Sequence, residues 1–168
     1  KVFRPNRDVR FSKDKRPYKE HCGAVIGFRS GTARAGVYVQ VSAEGLHAST
    51  GYWELSRDQI ERFRRAVDDV RTGGALVELV AAVREAGYEV GGSALKRAPQ
   101  GMDPSHPRIE LLRHKRLTVS RSWPVEPWVH TPESYDRVAA TWRAGAPICD
   151  WLEQHVGAAT EPRRPRGG

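Results

Sequence analysis

At 168 residues the chain is one ordinary domain, long enough to bury a real core. Hydrophobic residues make up 39% and charged residues 29%, and no apolar run approaches the roughly 20 residues that a membrane-spanning helix needs. Two cysteines exclude a disulfide scaffold and leave no CxxC pair for a structural zinc. The net charge of +8 invites a nucleic-acid reading, but its distribution is uneven: residues 1–20 hold a balance of +5 and residues 161–168 a balance of +2. The remaining +1 is spread over the whole body, whereas a duplex-binding domain spreads Lys and Arg along a face. A focused cluster fits a small anionic ligand better.

In chain order, Glu20 to Phe28 is apolar and rich in small residues and reads as a strand. Val37, Val39 and Val41 then alternate with Tyr38, Gln40 and Ser42, the period of a half-buried strand. Glu44-Gly45 turns the chain, and Leu46 to Trp53 alternates again, which predicts an antiparallel meander. Ser56 with Gln59 is a capping-box pattern opening a helix, whose stripe is Ile60, Phe63, Val67 and Val70. Gly73-Gly74 is expected to break it, and a second helix with Leu76, Val80 and Val83 inward to run to Ala86. Gly91 to Asp103 reads as a loop, and Pro107 opens a short helix through Leu112.

Leu117 and Val119 predict a further strand closed by Ser122-Trp123-Pro124. Thr131 caps another helix with Tyr135, Val138 and Trp142 inward; Gly145 is expected to end it and Pro147 to restart a last one carrying Ile148, Trp151 and Leu152. The pattern predicts the α+β class, an antiparallel sheet with helices packed on one face. It predicts a single domain over residues 1–156 and a disordered basic tail over 157–168. The chain opens on Lys1 without a targeting segment, so a cytoplasmic setting and a fragment lacking upstream sequence are expected.

The first nineteen residues are the most informative. Arg4, Arg7 and Arg10 recur every third residue, Asp8 and Asp14 are interleaved, and Lys15 and Tyr18 follow. This run resembles the RxxRDxRFxxxDKxxY signature of an uncharacterised bacterial family, domain of unknown function 2461, with Phe11 also in place. The resemblance continues through residues 96–115 and into the C-terminal helices. It implies an N-terminal helical region ahead of the signature, which this chain lacks, and it implies no known activity.

Two physical accounts of the signature compete. In one, Arg4, Arg7, Arg10 and Lys15 hold a phosphate or carboxylate and Tyr18 adds a hydroxyl, while Asp8 or Asp14 orients an arginine or acts as a catalytic base. In the other, Arg–Asp pairs only tie an irregular segment across the sheet. Three arginines against two aspartates leave cationic capacity over, which favours the anion site. Lys96 and Arg97, in a loop ending Pro99-Gln100-Gly101, are candidates to join it. No residue set calls for a metal or another cofactor. A nucleic-acid binder using the signature and the tail is the alternative partner reading, and an interaction module with a purely structural signature is a third.

Among weaker signals, Ser12 and Lys15 match S-x-x-K without its partner motifs, so that match is chance. His106 reads as a helix-cap or surface histidine, and Cys22 and Cys149 as small core residues. Trp142 and Trp151 read as core, whereas Trp123 and Trp128 flank prolines and are candidates to rim a pocket.

Overall fold

A computed structural model describes residues 1–6, 10–11, 15–27, 34–92 and 94–160. The meander forms as expected: β1 (His21–Gly27), β2 (Arg34–Ser42) and β3 (Gly45–Glu54) pair antiparallel in succession. Two helices follow, α1 (Arg57–Asp68) and α2 (Val70–Glu85), then a short strand β4 (Glu89–Gly91) inside the stretch expected to be a loop. The chain continues through α3 (Ile109–Leu112) and β5 (Leu117–Trp123), then a 3-10 turn (Pro127–His130) and the long helix α4 (Glu133–His155). The five-stranded sheet has the order β1-β2-β3-β5-β4, every neighbour antiparallel. The α+β class therefore holds.

Strand alternation sorts the two faces of the sheet. Ala48, Thr50, Tyr52, Leu117 and Val119 are all but inaccessible and face the helices. Phe63 and Val67 of α1, Leu76 and Val80 of α2, and Ile148, Trp151 and Leu152 of α4 complete one core, with the Trp151 ring edge-on to Phe63 at 6.1 Å. A smaller core holds Leu46, Ala48, Trp123, Trp128 and Val138. Trp123 and Trp128 are buried there edge to face at 5.8 Å, so neither rims a pocket.

The capping box at α1 forms as read: the Ser56 amide donates to Gln59 Oε1 at 3.0 Å. The stripe then ends earlier than expected. Asp69 has extended backbone, and its carboxylate accepts the Thr72 amide at 2.8 Å, opening α2 there. Val70 thus begins a new helix and is exposed, and Gly73-Gly74 lie inside α2. Gly73 is small for packing, because a Cβ there would meet the Val67 carbonyl oxygen at 2.0 Å. The Arg108 side chain closes the same corner, donating from Nε to the Val67 carbonyl at 2.6 Å.

Helix α4 also differs from the expectation, running unbroken through Gly145 and Pro147. Gly145 sits where α4 crosses the sheet, and a Cβ there would lie 2.2 Å from Thr50 Cγ2 and 3.0 Å from Val119 Cβ. The glycine buys close approach instead of a stop. Residues 157–160, which the sequence reading places in the tail, lie against α1. Gln59 Nε2 donates to the Gly157 carbonyl at 2.7 Å, and the Thr160 amide donates to Asp58 Oδ2 at 2.8 Å. Hydrogen bonds from Ser56 first, then Thr160, hold the Asp58 carboxyl well below the usual carboxylate range. Residues 161–168 lie outside the described residues.

Gly145→Ala should destabilise the protein by about 1–3 kcal/mol, overpacking outweighing the better helix propensity of alanine. Gly74→Ala, on the same type of element but with nothing within 4 Å of the new methyl, should instead stabilise by about 1 kcal/mol. Urea denaturation of the two variants checks both signs, and a stabilised Gly145→Ala would refute the close-packing account.

Candidate functional site on the open sheet face

The N-terminal segment leaves the edge of the sheet as a ribbon. Val2 bridges Ala24, and the Phe3 amide donates to the Gly23 carbonyl at 2.9 Å. Asn6 bridges Tyr18, and the Lys19 amide donates to the Pro5 carbonyl at 2.7 Å. The signature's first and last residues, Arg4 and Tyr18, lie on these two arms. Arg4, Arg10, Phe11, Lys15 and Tyr18 are exposed, and Arg10 and Lys15 are both engaged with partners. Arg7, Asp8, Ser12 and Asp14 lie outside the described residues.

The sheet face turned away from the helices carries a cavity of about 460 Å³. Its residues come from the strand positions that a half-buried strand would give to solvent. Val25, Tyr38, Ser49 and Ser120 stand in one cross-strand row, and Glu89 ends that row on β4. The next row is Gly27, Gly36, Gly51, Thr118 and Gly91, in which Thr118 supplies the sole side chain beyond hydrogen. Trp53 and Arg116 follow beyond that trough. Gly51, at φ 132°, holds a backbone that a Cβ would drive to 2.4 Å from the Leu117 carbonyl oxygen. The trough is therefore a product of strand pairing, which brings glycines distant in sequence into one line.

Aromatic rings gather at the β1 side of this cavity. Tyr38 is 6.2 Å from Phe3, 6.2 Å from His47 and 6.5 Å from Trp53, the last edge-on. The Tyr38 hydroxyl donates to Gln40 Oε1 at 2.6 Å, and Gly23 leaves room for it, since a Cβ there would lie 2.8 Å from that oxygen. Burial raises the Tyr38 pKa, so the phenol stays protonated. His47 Nδ1 lies 2.9 Å from Ser122 Oγ, and burial lowers its pKa, with Glu89 opposing more weakly. At neutral pH the imidazole is uncharged. The β5 side supplies the Ser120 and Thr118 hydroxyls and Arg116.

The second sequence stretch meets the sheet at the opposite edge from the signature, beside β4. Ala94 bridges His114, and the Leu95 amide donates to the Arg113 carbonyl at 2.8 Å, which seats the exposed Lys96 and Arg97 next to the Arg113–Arg116 turn. His106 is structural: its Nδ1 accepts the Arg108 amide at 3.0 Å and its Nε2 lies 3.3 Å from Asp68 Oδ1. The strand order separates Lys96 and Arg97 from the signature ribbon by the width of the sheet, about 19 Å at 4.8 Å per strand gap. The cavity lies between the two stretches, bordered by Phe3 in the first nineteen residues and by Arg116, which directly follows the second stretch.

A larger recess, about 740 Å³, lies on the helix side between α4 and the uncovered part of β2. Its floor is apolar, from Val37, Tyr52, Trp142 and Cys149, and Ile26 and Val41 are exposed on the same side of β1 and β2. Burial raises the Cys149 thiol pKa, the opposite of a reactive thiolate. Cys22, expected in the core, is exposed on edge strand β1. Glu153 on the rim accepts a hydrogen bond from the Tyr52 hydroxyl.

Of the open-face residues, sequence reasoning found none as site residues. Tyr38, His47 and Trp53 read there as the outward half of ordinary strands, and Arg116 carried no reading. The usable signal was the aromatic and histidine content of those outward positions, where a solvated face carries Lys, Glu and Thr.

The chain belongs to the conserved hypothetical protein family DUF2461, whose model matches residues 1–151. The matched span contains the N-terminal ribbon, the open face and the second stretch. No curated protein and no solved structure matches the chain.

His47 should titrate below its ordinary 6.5. With a folded pKa under the unfolded one, its contribution is intact above 6.5 and is lost as pH falls through that value toward the lowered one. NMR titration of the ring protons checks the direction. His47→Gln should reduce, without abolishing, the acid loss of stability, because burial lowers His114 too.

Proposed function

We propose that this protein binds a small phosphorylated or carboxylated ligand in the open-face cavity, with Arg116 as the cation that meets the charged group. The observation that carries this reading is that one concavity is bordered both by Phe3, the residue before the signature opens at Arg4, and by Arg116, the residue after the second stretch ends at Lys115. A guanidinium presents a planar fork of donors matched to phosphate and carboxylate oxygens. Around it, the Thr118 and Ser120 hydroxyls offer neutral hydrogen bonds, and neutral His47 is able to accept or donate one. The exposed signature cations Arg4, Arg10 and Lys15 add positive potential at the β1 rim and so raise the local anion concentration. The volume of about 460 Å³ suits a metabolite and not a duplex, which favours this reading over a phosphate-backbone binder. If turnover accompanies binding, His47 is the residue placed to move a proton.

Phosphate or citrate at tenfold its dissociation constant should stabilise the protein by about 1.4 kcal/mol, which raises the melting temperature by a few degrees. Arg116→Ala should fold, because the side chain is exposed, and should lose that response. No response of the wild type at tens of millimolar of either anion, or an equal response of the variant, would refute the proposal.

A further inference from the structure

Building on that reading of the open-face cavity, we infer that its ligand joins a flat ring to a phosphate, the chemistry of a nucleoside monophosphate. The cavity is chemically divided. Its β1–β3 side is aromatic, with Phe3, Tyr38 and Trp53 linked ring to ring at 6.2 and 6.5 Å. Its β5 side is polar, with Thr118, Ser120 and Arg116. A bare anion would leave the aromatic half unused, and a bare ring would leave the guanidinium unused.

The dimensions agree. From Phe3, beside β1, to Arg116, just ahead of β5, the cavity crosses three strand gaps, about 14 Å, room for a base, a sugar and one phosphate, with Trp53 on β3 one gap, about 4.8 Å, from β5. The volume of about 460 Å³ falls in the ordinary range for a small ligand.

Charge places the phosphate end. Glu89 stands opposite Ser120 on β4 and repels an anion from that end of the polar half. Arg116 lies beyond the glycine trough, on the far side from Glu89. Gly92, next to it, has φ 140°, and a Cβ there would strike the Arg116 carbonyl oxygen at 2.3 Å, so the two backbones meet closely at that corner. One arginine on the lining accounts for one phosphate, and the exposed Lys115 beside it lies outside the lining. The ring end falls against Phe3 and Trp53, where sequence-tolerant stacking on an aromatic face is available.

The test compares adenosine 5′-monophosphate, ribose 5-phosphate, adenosine and inorganic phosphate by calorimetric titration. The monophosphate should bind ten- to a hundredfold more tightly than ribose 5-phosphate, the increment expected of one stacked base. Trp53→Ala should bring the two to the same affinity and leave ribose 5-phosphate unchanged. Phe3→Ala, on an exposed N-terminal segment that the core does not need, should act in the same direction and guards against a misfolded Trp53 variant. Equal binding of the monophosphate and ribose 5-phosphate to the wild type, both lost in Arg116→Ala, would overturn the ring assignment and leave the anion site standing. Binding of neither would overturn both. A ring increment that survives both aromatic substitutions would also overturn the assignment.

Discussion

Everything in this molecule depends on how closely α4 lies on the sheet. A close approach is made at Gly145, which has no side chain and leaves room for Thr50 and Val119. Thr50 is itself satisfied by donating to the Gly36 carbonyl at 3.0 Å, so a polar side chain is buried there without cost. With α4 seated, α1 and α2 have a wall to pack on, and all the helices collect on one face. Among the described residues no helix lies over the other face. Its residues then face no demand from the core, and the face is free to carry aromatic rings, hydroxyls and an arginine.

The fold was legible where local chemistry and tertiary packing agree. The Val37–Val39–Val41 alternation, the Ser56–Gln59 box and the Leu117–Val119 pair each state their element without reference to a neighbour. Glycine misled twice, at Gly73-Gly74 and at Gly145. As a sequence signal glycine marks a stop, but its missing Cβ serves equally for close approach of two elements. Only the identity of the opposing atom separates the cases: the Val67 carbonyl for Gly73, Thr50 Cγ2 for Gly145. The break between α1 and α2 belongs to Asp69, whose capping of Thr72 is as local as the Ser56 box.

The site was far less legible, for a reason of register. A trough made of Gly27, Gly36, Gly51 and Gly91 exists only once five strands are paired, and each glycine alone reads as a weak strand position. The same holds for Tyr38 and Trp53, whose proximity follows from the pairing of β2 with β3. The signature was visible because its charges are dense in sequence, and density in sequence is a different thing from convergence in space. Arg4, Arg10 and Lys15 sit on a ribbon at one edge, Lys96 and Arg97 at the other, and the cavity lies between.

That arrangement gives the uneven charge a physical sense. The body is close to neutral, so the field over the open face is set by its two margins and by Arg116 within it. A low-dielectric floor of rings and glycines between positive margins concentrates potential over the face, where a screened, evenly basic surface would disperse it. On the proposed reading the margins gather anions without touching them, and the selection among anions is left to the few groups that line the cavity.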